Sequence, residues 1–200
     1  TVQQAPRGTI RVACPITLAQ SDVGEVMARF LATYPDVRID LRVSNRAVDL
    51  VEEGFDVALR VRPTLEESGS LVVKSLGRTA TVLVATPGLL ARQPRPTTPE
   101  ELSLLDSVAM SAVDGRATWR LLGPGGREHL LVHRPRYVAD DLLTLKSAIL
   151  QHIGMGLLPD YMCRAALASG ALIELLPGWA PPPGVVHAVF PSRRGLVPAV

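Results

Sequence analysis

The residues best suited to bind a ligand lie where the predicted strands end. The segment Cys14–Leu18 joins the first predicted strand to the first predicted helix, and it supplies Pro15, Ile16, Thr17 and Leu18 as candidate contacts. Backbone N–H groups and the helix dipole at a helix start attract negative charge, so this turn suits an anion. Ligands also bind at the carboxyl ends of parallel strands. The same segment equally suits a plain connection in which Thr17 caps the helix, and both interpretations stay open here.

Polar side chains also follow the next two predicted strands. Ser44 comes directly after the second strand, where its hydroxyl can contact a ligand or cap the next helix. Arg60 and Arg62 end the third strand, and a guanidinium can bind a carboxylate through two parallel hydrogen bonds. Most exposed arginines are solvated or pair locally. We name Ser44 and Arg62 as candidate ligand contacts and expect Arg60 to be less suitable.

The histidines and cysteines form no recognisable catalytic or metal-binding pattern. His129 and His133 are four residues apart, but they lie in a predicted hairpin, where this spacing does not form one helical face. No nucleophile elbow, P-loop or dinucleotide-binding fingerprint occurs. A helix start could lower the thiol pKa of Cys14, but its position at a buried strand end argues against redox sensing. We expect no cofactor, no metal and no enzymatic activity.

An alternating α/β framework must position these candidates. The first part of the chain alternates strand and helix, which indicates crossover connections and a mainly parallel sheet. The predicted elements are strands over 9–14, 37–43 and 55–61 and helices over 18–34 and 46–53. A second α/β set follows between residues 82 and 175. It includes a hairpin around the 123–126 turn and a helix over 141–153 with Asp140 as its candidate N-cap.

This layout predicts two lobes. Residues 1–85 with 186–200 form lobe I and residues 86–185 form lobe II, because the last strand, over 185–190, can return to the first lobe. Small ligands usually bind in clefts of this kind between lobes. Ligand binding is therefore the leading function.

Composition excludes several classes of protein. The formal net charge of +2 and the 4% of aromatic residues argue against a nucleic-acid-binding surface on this chain. No stretch approaches the ~20 consecutive apolar residues of a membrane span, so no membrane partner is expected. Two cysteines are too few for a disulfide framework and fit a reducing compartment, so we expect a cytoplasmic protein.

Seven segments, taken in order, resemble the effector-binding domain of LysR-type bacterial transcriptional regulators. They are Gly8–Val12, Phe30–Pro35, Asp49–Arg60, Leu83–Pro87, Gly154–Pro159, Ser169–Leu172 and Phe190–Arg194. The resemblance implies an α/β fold of two Rossmann-like lobes with a central ligand cleft, similar to type 2 periplasmic binding proteins. It also implies that Ser111, Val138 and Asp140 face the cleft, although Asp140 is better suited to cap a helix.

The resemblance further implies the partners. A small-molecule effector, an organic anion by the charge of the strand-end turn, would bind between the lobes. We expect a homodimer, with a tetramer as a possible full-length state, and we expect the apolar positions Met27, Leu31 and Tyr34 to contribute to pairing. DNA would be bound only through an N-terminal winged helix-turn-helix domain outside this chain. The alternatives are a free-standing solute-binding protein of a transporter and, more remotely, an enzyme on the same fold.

Overall fold

The computed structural model describes residues 6–65 and 71–192, which divide into two compact units. Of the described residues, those up to Arg78 and those from Val185 to residue 192 belong to the first unit, and Thr79–Gly184 form the second unit. The strand over 81–85, assigned to lobe I from the sequence, pairs with strands of the second unit, so the division falls before it. Residues 1–5 and 193–200 of the predicted lobe I lie outside the described residues.

Short strands and helices alternate along both units. The strands are β1 (Gly8–Cys14), β2 (Val37–Val43), β3 (Val57–Arg62), β4 (Leu71–Thr79), β5 (Thr81–Ala85), β6 (Val108–Ala109), β7 (Ala117–Leu122), β8 (Glu128–His133), β9 (Tyr137–Val138), β10 (Gly156–Pro159), β11 (Ile173–Glu174) and β12 (Gly184–Pro191). The α-helices are α1 (Ile16–Leu18), α2 (Gly24–Thr33), α3 (Pro87–Leu90), α4 (Leu142–Leu150) and α5 (Asp160–Ala168). A π-helical segment, Ala19–Val23, joins α1 to α2, and 3-10 turns occupy Glu100–Leu104 and Pro124–Gly126.

A five-stranded sheet in the order β2-β1-β3-β12-β4 forms the first unit. β1 pairs parallel with both β2 and β3, whereas β12 pairs antiparallel with β3. The helix α2 packs Met27, Phe30, Leu31 and Tyr34 against a core that includes the β1 side chain Val12. The apolar stripe of α2 is therefore used within its own unit.

Two predicted helices of the first unit differ from the structure. The run over 18–34 is interrupted at Ser21, whose backbone is non-helical and whose Oγ donates to the carbonyl of Leu18 (2.7 Å). The prediction of a helix over 46–53 is wrong. There Asp49 Oδ1 accepts hydrogen bonds from the N–H groups of Val51 and Glu52, both at 3.0 Å. This is the bonding of an N-cap, so a single turn begins at Asp49 and not at Arg46, and the N–H of Glu53 donates to the carbonyl of Asp49 (3.0 Å). The turn ends at Gly54, whose positive φ of 68° does not continue a helix.

The second unit combines a three-stranded sheet, a two-stranded pair and a hairpin. The three-stranded sheet has the order β10-β5-β11, and its central strand β5 pairs antiparallel with both neighbours. The parallel pairing expected from the sequence occurs between β1 and its neighbours β2 and β3, and between β6 and β9. β6 pairs parallel with β9, and β7 pairs antiparallel with β8 to form the predicted hairpin. The core beneath the hairpin contains Leu121 and Leu131, one from each strand.

Gly154 marks a close approach of two backbones in this unit. A Cβ atom added there would lie 2.7 Å from Ser107 Cα, which is closer than van der Waals contact allows. The adjacent residue Met155 bridges to Ser107, and the N–H of Val108 donates to the carbonyl of Met155 (2.9 Å). Glycine therefore allows the segment before β10 to hold Ser107 in place.

No helix in the described part of the chain has the length and apolar character needed to cross a membrane.

We expect Leu121→Ala to lower the free energy of unfolding by about 2–5 kcal/mol, because Leu121 is fully buried and its loss leaves a cavity. Leu130→Ala is the matched control, since Leu130 lies on the paired strand β8 but is 58% exposed, and it should change stability by no more than ~0.5 kcal/mol. Urea denaturation followed by circular dichroism measures both. Equal losses in the two variants would contradict the placement of the hairpin on this core.

Candidate functional site

The turn between β1 and α1 is bound to the end of β2. The N–H of Ile16 donates to Asn45 Oδ1 (3.2 Å), and the N–H of Ser44 donates to the carbonyl of Cys14 (3.0 Å). The N-cap residue is Pro15, with no side-chain capping bond, so Thr17 does not cap this helix. The structure thus brings Pro15, Ile16 and Ser44 together at the carboxyl ends of two parallel strands.

Ser44 lines a small pocket of about 250 Å³ in the first unit, together with Arg11, Arg42 and Arg46. These cations are already paired within the unit. Arg46 pairs with both carboxylate oxygens of Glu53, which raises the pKa of Arg46 and lowers the pKa of Glu53. The Nη1 atom of Arg11 donates to the carbonyls of Glu53 (3.0 Å) and Gly54 (2.9 Å). The contacts of Arg11 and Arg46 therefore hold the loop after β2 in place.

The two arginines at the end of β3 differ in their contacts. Arg60 Nη2 donates to the carbonyl of Val48 (3.2 Å), so it supports the loop before β3. Arg62 is exposed, and its guanidinium makes no hydrogen bond or ion pair within the described residues. Its backbone is level with Val185 of β12. Of the two, Arg62 remains available to a ligand.

A pocket of about 700 Å³ lined by Ser111 is a candidate site of the second unit. Its volume lies within the range of small-molecule sites. Most of its lining is apolar, and Arg116 contributes the one arginine of the set. The lining includes Thr81, Met110, Ser111, Val113, Arg116, Trp119, Val132, Leu142, Leu157 and Pro181. Such a site would accept an apolar ligand body and offer hydroxyl and guanidinium groups to its polar end.

Val138 and Asp140 lie near this pocket in the chain but do not line it. Val138 pairs with Ala109, which does line it, across β6 and β9. Asp140 was predicted to cap α4, and this is wrong because the N-cap is Asp141. Asp141 Oδ2 accepts from Thr144 N (2.8 Å) and Thr144 Oγ1 (2.7 Å), and both bonds lower the pKa of Asp141.

Sequence reasoning missed the contributions of the β7–β8 hairpin to this pocket. Arg116, Trp119 and Val132 come from its two strands or their ends, far in sequence from Leu142. The sequence signal for this pocket is Trp119 in a predicted strand, since an aromatic side chain at a ligand site offers a large apolar surface. The register that places it beside the other residues is not evident from the sequence.

Ser107 and His133 form a buried polar pair at the end of the hairpin. Ser107 Oγ and His133 Nδ1 are 2.6 Å apart, and the His133 ring packs against Trp119 with ring centroids 4.2 Å apart. Burial lowers the pKa of His133 and keeps the imidazole neutral at pH 7. His133 Nε2 is buried and has no hydrogen-bond partner among the described residues.

Two further histidines have polar partners outside the pockets. His152 Nδ1 lies 2.7 Å from Thr86 Oγ1, which also accepts from the N–H of Leu89 and so caps α3. His187 Nδ1 lies 3.0 Å from the carbonyl of Val185. Within residues 6–65 and 71–192, no group of three or more histidine, cysteine, aspartate or glutamate side chains is arranged to hold a metal ion.

Comparisons with known proteins point to one family. The family model described as the LysR substrate binding domain matches residues 3–200. The chain is 29% identical over 194 residues to the HTH-type transcriptional regulator PtxR of Pseudomonas aeruginosa, covering 96% of this chain and 61% of that protein. The chain thus spans about three fifths of the length of this curated relative.

Solved structures give the same result. The full-length structure of the Vibrio cholerae virulence activator AphB, a member of the LTTR protein family, superposes with a TM-score of 0.83 at 29% identity, covering 95% of this chain and 64% of that one. The regulatory domain of AphB from Vibrio vulnificus gives a TM-score of 0.77 at 26% identity, covering 98% and 94%. The fold is therefore the type 2 periplasmic-binding-protein-like fold of these regulatory domains, as predicted.

We expect both thiols to resist alkylation in the folded protein. Cys14 and Cys163 are buried, and burial raises the pKa of each thiol to about 11, so the reactive thiolate is scarce at pH 7.5. Mass spectrometry after iodoacetamide treatment should find neither residue modified without denaturant and both modified in urea. Rapid modification of native Cys14 would instead support a redox role.

Proposed function

This chain belongs to the LysR substrate-binding domain family, and on that premise we propose that it is the effector-sensing part of a transcriptional regulator. A small molecule binds to the domain and favours one of its conformations over another, which changes how the complete regulator acts on DNA. DNA itself is bound by a domain outside this chain. The cytoplasm is the compartment in which such a regulator works.

The observation that carries this proposal is the pocket of about 700 Å³ at Ser111 in a chain of this family. Its apolar lining and single arginine suit an organic anion with an apolar body, since the guanidinium can bind a carboxylate through two hydrogen bonds. Pro15, Ile16, Thr17, Leu18, Ser44 and Arg62 of the first unit, with Val138 and Asp140 of the second, complete the predicted effector contacts.

A sensory role is better supported than either alternative. The curated relative PtxR is named as a transcriptional regulator, which favours regulation over solute transport. The buried Ser107–His133 pair has no carboxylate positioned on the imidazole by a hydrogen bond in the described residues, so it lacks the third group of a Ser–His–Asp arrangement. We therefore propose a binding domain and not an enzyme.

A homodimer is part of the proposal, with a tetramer as the possible state of the full-length protein. Met27, Leu31 and Tyr34 give little support to the dimer, because all three pack within the first unit. On α2, the exposed apolar side chain is Val26, at 51% exposure. The family resemblance further suggests that α2 of one copy meets the region of α5 in the other, and Val26 is the large apolar side chain of α2 that is exposed for such a contact.

The effector proposal is tested by screening carboxylic acids for an increase in melting temperature, since a ligand that binds only the folded state stabilises it. For a carboxylic acid that stabilises the protein, Ser111→Ala should weaken binding by about 1 kcal/mol, or roughly fivefold, through the lost hydrogen bond. Ser147→Ala is the matched control, because Ser147 is an exposed serine of α4 outside the pocket. Thr17→Val and Ser44→Ala test the first-unit residues. Unchanged affinity in all three variants would place the site elsewhere.

Light scattering at micromolar concentration tests the dimer, and we expect twice the chain mass of 21.4 kDa. Val26→Glu should shift the protein toward the monomer, because it places a charge on the exposed face of α2. Val72→Glu is the matched control, since Val72 is an exposed valine of β4. A monomer mass for the unmodified chain, with and without ligand, would contradict the dimer.

A further inference from the structure

A second pocket, of about 460 Å³, lies at the open end of the β7–β8 hairpin. Its lining is polar and basic, in contrast to the apolar pocket at Ser111. The chemically active side chains are those of Asp106, Arg116, His133 and Arg134, and Ser103, Leu104, Leu105 and Val132 complete the lining. No candidate contact named from the sequence belongs to it.

The hairpin register brings Arg116 and Arg134 to the same end of the hairpin, where both line the pocket. Ala117 and His133 form the last pair of the ladder, so the next residues outward, Arg116 and Arg134, follow on opposite strands. Both are exposed, and neither guanidinium has a hydrogen bond or ion pair within the part of the chain that the structure describes. Two unpaired guanidinium groups in the lining of one pocket attract an anion, and each can bind a carboxylate or phosphate through two parallel hydrogen bonds.

The carboxylate in the pocket does not neutralise these arginines. Asp106 Oδ2 accepts from Gln93 Nε2 (2.8 Å) and from Arg136 Nη1 (3.1 Å). The N–H of Asp106 in turn donates to Gln93 Oε1 (2.8 Å), which holds this side of the pocket in place. The charge of Asp106 is therefore matched by Arg136, and the positive charges of Arg116 and Arg134 remain.

His133 adds a neutral group to the same pocket. When the Ser107 hydroxyl donates to Nδ1 at 2.6 Å, the neutral ring carries its hydrogen on Nε2. That N–H then has no acceptor among the described residues although it is buried, and an unpaired buried polar group costs free energy. A ligand oxygen reaching this depth of the pocket would supply the acceptor.

We propose that the pocket formed by Arg116, Arg134 and His133 binds a small organic anion carrying at least two negative charges. The pocket volume exceeds that of a single inorganic ion and falls within the range of metabolite sites. Carboxylates and phosphates both accept two parallel hydrogen bonds from a guanidinium, so either can supply the charges. The site shares Arg116 and Val132 with the pocket at Ser111 that we propose for the effector, but the lining of that pocket includes neither Arg134 nor His133.

Isothermal titration calorimetry of the purified chain tests this proposal with two probes, citrate for carboxylates and pyrophosphate for phosphates. Sodium chloride of matched ionic strength is the reference. Binding of at least one probe is expected, and Arg134→Gln should weaken it tenfold or more through the lost charge-assisted hydrogen bonds. Arg116→Gln should have a similar effect. Arg164→Gln is the matched control, since Arg164 is an exposed arginine of α5 outside the pocket.

Tryptophan fluorescence gives a second readout, because the chain has two tryptophans and Trp119 both contacts His133 and lines the pocket at Ser111. Its signal reports binding in either pocket, and the Arg134→Gln variant distinguishes them. In a Trp179→Phe variant, probe binding should change the remaining fluorescence, and Arg134→Gln should abolish that change at the same probe concentration. No binding of either probe, or equal weakening by Arg164→Gln, would overturn the proposal. Weakening by Ser111→Ala with no effect of Arg134→Gln would assign the anion to the effector pocket instead, leaving the proposed function standing.

Discussion

The buried hydrogen bond between Ser107 Oγ and His133 Nδ1 is the contact on which both pockets of the second unit depend. Ser107 is held by its bridge to Met155 and by the N–H of Arg136, which donates to the Ser107 carbonyl (2.8 Å). His133 ends the β7–β8 ladder, packs against Trp119 and directly precedes Arg134. The bond therefore positions Trp119 in the wall of the pocket at Ser111 and the backbone of Arg134 at the smaller pocket. Because burial keeps the imidazole neutral, the bond joins two neutral groups and needs no counter-ion.

Residues without chemistry of their own make this bond possible. Gly154 allows the backbone before β10 to approach Ser107 more closely than a side chain would permit, and the buried Leu121 and Leu131 fasten the hairpin from below. Packing in protein interiors is dense, so small changes at such positions are transmitted to their neighbours. The polar groups of the two pockets are thus held in position by a glycine and two leucines that line neither pocket.

The sequence predicts the elements of this unit better than it predicts their assembly. The hairpin around residues 123–126 is predicted from its Gly-Pro-Gly-Gly turn, and the structure contains it. The capping of α4 was misplaced by one residue, since Asp140 and Asp141 are chemically equivalent and only the backbone conformation distinguishes them. In the first unit, the prediction of a helix over 46–53 is wrong because the Asp49 side chain caps a single turn that Gly54 ends. The large pocket was largely missed, because separate segments line it and their register is a tertiary property.

Arg116 connects the two proposals physically, since it lines both pockets and has a single guanidinium. When a ligand binds this guanidinium in one pocket, the group is no longer free to bind a ligand in the other. Arg134 and His133 line only the pocket of about 460 Å³. If both pockets bind ligands, the shared arginine therefore makes the binding of one ligand weaken that of the other, and by linkage the effect is equal in both directions. The geometry of one hairpin end would then let a charged metabolite oppose the effector without any contact between the two molecules.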